Sequence, residues 1–385
     1  MNYLRGIFLG VVATIFLLPS LDKLFGLDPI AAPLENRLTA NAPKLEFFSK
    51  IRWDRRLGQY FKDWDSYFRD HFGFRSLFML LDTNLKVVLF GNADSHMVLV
   101  GKSEQYFLGG RSNVRIFKNA DLLGAEELSH IVESLIKKAQ WAKAHSIKYV
   151  WFLVPEAAFV MQDRWPPWMK QVSSVSKADQ ICKELDLRLK DSKGLEKNFL
   201  RFHALEVLRE SYKQGQKVFF KKDSHWTWLG AFVAYSGLEA ELNRWMNWPT
   251  PLIYEDLSEH PYQQEGDLVK LLGVGLDTKE QALLLDPKKC AGIDPVNSGE
   301  KSIDPFVFVK GCNKSGPRVL ISLRDSFSNF LIPYLRAQTS EIYMANTAYA
   351  APVSEEFIQK IKPDMIFEQT VYRNVKHLPL TSITQ

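Results

Sequence analysis

The chain has 385 residues, enough for one large domain or two ordinary ones, because single hydrophobic cores stop growing near about 250–300 residues. Hydrophobic residues make up 46% and charged residues 24%, which excludes a disordered or fibrous chain. The net charge of +5 is a small excess, and lysines and arginines are interleaved with acids, so no basic stripe exists for a nucleic acid, although a weakly basic surface could favour an anionic polymer.

At the N-terminus an apolar run from Gly6 to Leu18 follows Arg5 and ends at Pro19-Ser20-Leu21-Asp22-Lys23. It is shorter than the ~20 residues that comfortably span a bilayer and has the length of a signal-peptide core. No small-x-small cleavage site follows directly, and Ala31-Ala32 is late and flanked by prolines. An uncleaved signal anchor within residues 1–25 is therefore expected, in preference to a cleaved signal peptide. Everything after it would be exported and held at the inner membrane. Residues 26–52 are polar and punctuated by proline, as a tether would be, and a folded domain is expected over 53–385.

Residues 53–78 are aromatic and basic with helical spacing. Short alternating segments at Met97–Val100 and Tyr106–Leu108 read as small strands. Beyond residue 120 helices and strands alternate. Leu122–Ala144 has apolar residues at helical intervals, and Lys148–Val154 is a near-continuous apolar run of the kind that forms a strand buried on both faces. Helices are predicted over Gln180–Leu189 and Ala204–Tyr212, a strand over Lys217–Phe220 and a long helix over Trp226–Trp245. The prolines and glycines of 250–305 suggest an irregular insertion. A strand at Arg318–Leu323, a helix at Phe327–Gln338 and strands at Glu341–Met344 and Met365–Glu368 complete the pattern. Such alternation implies a mainly parallel sheet with helices on both faces, whose sites lie at the carboxyl ends of strands.

Aromatic residues make up 13% and include ten tryptophans, which fits either a large core or a groove on which sugar rings stack. Of the three cysteines, Cys290 and Cys312 bracket a plausible loop and could bridge in an oxidising compartment, leaving Cys182 free and buried. No Cys/His spacing resembles a zinc site.

Two strand-to-helix junctions carry possible chemistry. At Leu323-Arg324-Asp325-Ser326-Phe327-Ser328 a serine opens a helix, where backbone N–H groups can stabilise an oxyanion. Equally, Asp325, Ser326 and Ser328 all suit a helix cap. At Lys222-Asp223-Ser224-His225-Trp226-Thr227 an aspartate and a histidine stand two apart. A serine hydroxyl needs a neighbouring base, and a carboxylate beside the imidazole fixes its tautomer and steadies the imidazolium. The plain alternative makes Asp223 a cap and His225 incidental.

Together these two segments resemble the alginate O-acetyltransferase family of SGNH-hydrolase-like proteins, which are periplasmic polysaccharide O-acetyltransferases. Asp70-His71-Phe72-Gly73-Phe74-Arg75 resembles an N-terminal signature of that family, and the similarity runs in patches from about residue 55 to about 370. The resemblance implies a three-layer α/β/α SGNH-hydrolase-like domain in permuted order, with Asp-x-His ahead of the nucleophilic serine. It makes Ser326 the nucleophile, His225 the base and Asp223 its orienting partner. The implied reaction passes an acetyl group through acyl-Ser326 to hydroxyls of an exported polysaccharide, alginate-like or another exopolysaccharide. A membrane-bound acyltransferase is the expected partner supplying that group, and no cofactor, metal or nucleic acid is expected. Oxyanion donors would come from the Ser326 backbone and a nearby polar side chain. Arg324 stands where ordinary SGNH enzymes carry glycine. It joins Arg75, Trp226 and Trp228 as candidates for substrate contact, each of which also has a structural reading. The same triad would serve an acetyl esterase with water as acceptor, and a third reading is a non-catalytic scaffold of a polysaccharide modification complex.

Overall fold

A computed structural model describes residues 2–27, 40–43, 56–90, 97–272, 278–291, 301–303, 306–345, 353–380 and 383–384. The chain divides into two units, Met1–Val98 with Val269–Thr278, and Leu99–Leu268 with Lys279–Gln385. Most of the expected tether, 26–52, lies outside the described residues.

The first unit contains helices α1 (Asn2–Phe25), α2 (Arg56–Asp70) and α3 (Arg75–Phe90). The signature from Asp70 to Arg75 is the turn between α2 and α3, and its residues answer to packing. A side chain at Gly73 would put its Cβ 2.1 Å from the Pro19 carbonyl oxygen. Phe74 adopts φ of 56°, and its N–H donates to Asp22 Oδ2 at 3.1 Å. The end of α1 is thus taken up by a protein contact, with Asp22 buried. The apolar run of α1 covers roughly 13 residues, about 20 Å of helix, against ~30 Å of hydrocarbon in a bilayer. Among the described residues no helix is long and apolar enough to cross a membrane, so the spanning anchor expected from the sequence is not supported.

The second unit is built on a seven-stranded sheet. Its strands, with a separate hairpin, are β1 (Lys148–Val154), β2 (Phe199–His203), β3 (Leu257–Glu265), β4 (Lys279–Pro287), β5 (Lys301–Ile303), β6 (Phe306–Lys310), β7 (Arg318–Leu323), β8 (Glu341–Ala345) and β9 (Met365–Val371). The sheet order is β2-β1-β9-β7-β8-β6-β5. Neighbours from β2 to β8 are parallel, and β6 and β5 close one edge antiparallel. β9 is buried throughout, and β1 and β7 are buried after their first residues. Strands hidden on both faces require cover on both, which is the three-layer α/β/α arrangement of the SGNH type. The longer helices are α4 (Ala125–Ala144), α5 (Lys177–Asp191), α6 (Leu205–Lys213) and α7 (Trp228–Trp245), followed by the short α8 (Ile332–Gln338) and α9 (Glu355–Ile361).

A buried ion pair fastens α4 to the centre of this sheet. Lys138 Nζ stands 3.0 Å from Glu368 Oε2 and donates to the Leu378 carbonyl at 2.7 Å. Tyr149 Oη and Ser322 Oγ donate to the same carboxylate at 2.7 and 3.2 Å. Each buried ion carries a desolvation penalty of several kcal/mol, roughly, which is offset only when such extra hydrogen bonds are made.

Three predicted elements differ in the structure. Lys217–Phe220 joins no sheet. It turns back on itself through a single bridge between Phe219 and Trp226, and α7 starts only at Trp228, capped by Thr227. The helix expected from Phe327 is a tight 3₁₀ turn, Ser326–Phe330, followed by α8. Within 250–305 the described residues include a regular hairpin that the sequence did not suggest, β3 and β4 pairing antiparallel along nine residues each. Most of β3 is exposed and Pro261 lies within it, so the apolar alternation that marks a strand is weak. The expected small strands form at Val98–Val100 and Tyr106–Leu108. Cys290 and Cys312 are bridged, with Cα atoms 5.6 Å apart. Cys182 is free and half-buried, and burial pushes its thiol up to about 11, which leaves it unreactive.

Candidate active site

The two junctions meet in the second unit. β7 ends at Leu323, and Asp325 caps the 3₁₀ turn by accepting from Phe327 N at 3.0 Å. Gln369 Nε2 and Val371 N also donate to this buried carboxylate, at 2.9 and 3.1 Å, tying the turn to β9. Because Asp325 does the capping, the Ser326 hydroxyl is left for another partner.

That partner is His225. Its Nε2 lies 2.6 Å from Ser326 Oγ, and its Nδ1 lies 2.6 Å from Asp223 Oδ1. The carboxylate accepts the Nδ1 proton, so Nε2 is the acceptor facing the hydroxyl. Nor is Asp223 a helix cap, since Thr227 fills that role. Asp223 is 2% exposed and also accepts from His225 N at 2.9 Å, Gln264 Nε2 at 2.8 Å and Asp267 N at 3.2 Å. Burial opposes its ionisation, but the hydrogen bond and charge of His225, with the Gln264 amide, outweigh it and hold the carboxyl below its usual value. Asp267 goes the other way: burial, and then the charge of Asp223, raise it.

The hairpin missed in the sequence shapes this loop. Asp267 accepts from Ser224 N and Oγ at 2.7 and 2.5 Å, and its Oδ2 lies 3.8 Å from His225 Nδ1. Glu280 on β4 accepts from Lys221 N and Lys222 N, each at 2.9 Å. Gly266 must be glycine, because a Cβ there would sit 2.3 Å from the Lys222 carbonyl oxygen. From the other side, Trp226 Nε1 donates to the Phe327 carbonyl at 3.1 Å, and Phe330 stacks on the His225 ring with centroids 5.8 Å apart.

Ser326 and His225 open into a cavity of about 470 Å³. Trp228, Tyr262, Phe330, Ile332 and Met344 give it an apolar wall. Gln264, Glu265, Asp267, Arg324 and Asn329 give it a polar one. Of the residues expected to touch substrate, Trp228 and Arg324 line this cavity. Trp226 does not: it is fully buried, and its indole N–H is used inside the core. Arg75 belongs to the first unit, at the start of α3.

Asn329 is a residue that the sequence reading did not name. In a 3₁₀ turn residues three apart lie on one face, so Asn329 shares the face of Ser326. Arg324 Nη1 donates to Asn329 Oδ1 at 3.0 Å, and Arg324 Nε is anchored on the Ala345 carbonyl at 2.8 Å. With Oδ1 held by the guanidinium, the Asn329 amide nitrogen is presented as a donor. The available signal was the i, i+3 spacing from Ser326, which places the two residues on one face of a 3₁₀ turn or an α-helix alike.

Residues 117–302 match the family described as SGNH hydrolase-like domain, acetyltransferase AlgX. That segment is just under half of the chain, and over it the sequence is similar to SGNH hydrolase-like acetyltransferase domains. The matched segment holds Asp223, His225, Gln264 and Asp267, and Ser326 follows it. No curated protein matches the sequence. Among solved structures, Bacillus cereus PatB1 is 15% identical with a TM-score of 0.53, covering 72% of this chain and 96% of that one. The same protein with a sulfonyl adduct is 15% identical with a TM-score of 0.55, covering 76% and 100%. The O-acetyltransferase domain of Pseudomonas putida AlgJ is 15% identical with a TM-score of 0.44, covering 74% and 94%. The two PatB1 structures establish a shared fold.

The lowered Asp223 carboxyl has a consequence for stability. A depressed folded value adds stability that is present above the unfolded value of ~3.9 and lost as pH falls through the folded one. Asp223→Asn should therefore differ most from the parent near neutral pH and least in acid. Urea unfolding of both proteins from about pH 7 to about pH 2 reads this. A difference that stays constant over that range would show that the carboxylate is not specially held.

Proposed function

We propose that the second unit is an O-acetyltransferase that carries an acetyl group on Ser326 and passes it to a glycan hydroxyl. The observation behind this is the unbroken relay from Asp223 through His225 to Ser326, both links 2.6 Å, opening on a cavity. Ser326 Oγ attacks the acetyl carbonyl and its proton passes to His225 Nε2, while Asp223 steadies the imidazolium. The tetrahedral oxyanion is met by the Ser326 N–H, which has no acceptor within its turn, and by the Asn329 amide. Collapse expels the donor oxygen, which takes the proton from His225. A sugar hydroxyl then gives its proton to Nε2, attacks acetyl-Ser326 and releases the serine, which recovers that proton. The Cys290–Cys312 bridge supports an oxidising compartment such as the periplasm. The family resemblance supplies the rest of the proposal: an exported polysaccharide as acceptor and a membrane-bound acyltransferase as the source of the acetyl group.

The test uses 4-nitrophenyl acetate as donor, with and without oligosaccharides, for the parent and Ser326→Ala. The parent should form acetylated sugar. The variant should lose turnover with an unchanged melting temperature, because Asp325 holds the turn. Full activity in a folded Ser326→Ala protein removes the serine from the reaction, and ester hydrolysis indifferent to every sugar makes the protein an esterase.

Asn329→Ala should lower kcat by on the order of a hundredfold while moving KM little, as expected for an oxyanion donor. A change in KM alone would make Asn329 a binding residue.

A further inference from the structure

The apolar wall of the cavity is uneven. Trp228, Phe330, Ile332 and Met344 are buried, whereas Tyr262, the fifth residue of that wall, is only half-buried. The hairpin puts it there. Side chains two apart on a strand share a face, and Gln264, two residues further along β3, reaches Asp223 Oδ2 with its amide at 2.8 Å. Tyr262 therefore stands on the face turned to the site, roughly 7 Å back along the strand. Rings lead out to it in a row: His225 to Phe330 at 5.8 Å, Phe330 to Trp228 at 4.8 Å and Trp228 to Tyr262 at 6.0 Å between centroids. The last two planes cross at 86°, which leaves at least one face of the phenol ring clear of the indole.

Resting on the transferase reading, we propose that Tyr262 is the platform on which a pyranose ring of the acceptor stacks while one of its hydroxyls is presented to His225. The face of an aromatic ring carries partial negative charge and the C–H groups of a sugar ring partial positive charge, so flat contact adds electrostatic attraction to apolar burial. Trp228, too buried to offer a ring face, braces Tyr262 instead of meeting the sugar. Water, the competing acceptor, has no ring to place there. The platform therefore favours sugar over water at the same acetyl-Ser326.

The partition of acetyl-Ser326 between sugar and water reads this, and it does not depend on how fast the acetyl-enzyme forms or how much of a variant is folded. The full chain, Tyr262→Phe and Tyr262→Leu are given 4-nitrophenyl acetate with subsaturating cellotetraose or an oligouronate. The ratio of acetylated sugar to acetate is measured, with the Ser326→Ala background subtracted. Tyr262→Leu keeps apolar bulk without a flat face and should lower the ratio at least about tenfold, whereas Tyr262→Phe keeps the face and should stay within about threefold of the parent. A parent-like ratio in Tyr262→Leu overturns the proposal. So does an equal fall in both variants, which would assign the effect to the hydroxyl; either result leaves the transferase reading standing. No transfer from the parent to either acceptor, with Ser326-dependent ester hydrolysis intact, overturns the transferase reading and the proposal with it.

Discussion

The Asp223 carboxylate is buried at the bottom of a short loop, where His225, Gln264 and Asp267 donate to it, and the geometry of the cleft follows from that arrangement. A charge taken out of water is tolerated only where its lone pairs are met. Meeting them fixes the loop backbone at His225 N and the imidazole at Nδ1 together. The ring then has one orientation and one tautomer, and Nε2 points at Ser326. Remove the carboxylate and the imidazole is free to rotate or to carry its proton on the wrong nitrogen.

Each side of the relay is braced by a different part of the fold. The serine turn hangs from the sheet, because Asp325 is tied to β9 through Gln369 and Val371. The histidine loop rests on the hairpin of β3 and β4, through Asp267 on Ser224 and Glu280 on the N–H groups of Lys221 and Lys222. Trp226 joins the two turns by its bond to Phe327. Polar groups fix the angles, while Phe330 against the His225 ring excludes water from its apolar face. The cap at Asp325 also explains how a serine at a helix start escapes the ordinary duty of a serine in that place. A neighbour has taken it.

The strands were legible where burial on both faces leaves a continuous apolar run, as at Lys148–Val154 and Arg318–Leu323. Asp223, His225 and Ser326 were legible because their residue types and junction positions are restrictive. What the sequence concealed is what depends on contacts far along the chain. Gln264, Asp267 and Glu280 matter through hydrogen bonds across about 40 to 60 residues, and nothing local in the sequence marks a Gln, Asp or Glu as such a support. The hairpin itself was obscured by Pro261 and by a mostly exposed face. Trp226 misled in the opposite direction: next to His225 in sequence it suggested a substrate contact, yet its ring is core. The composition of the N-terminal run likewise gives no sign that Pro19 and Asp22, just beyond it, have partners at Gly73 and Phe74.

The most direct measurement is the site of acetylation in a rapidly quenched reaction with an acetyl ester, read by peptide mass spectrometry on the intact chain. If His225 activates Ser326 as the geometry indicates, one acetyl group should appear on the peptide containing Ser326, and it should be lost when an acceptor sugar is added before the quench. Acetyl found only on lysines, or a turnover-competent enzyme in which Ser326 is never acetylated, would contradict the relay as the origin of the chemistry.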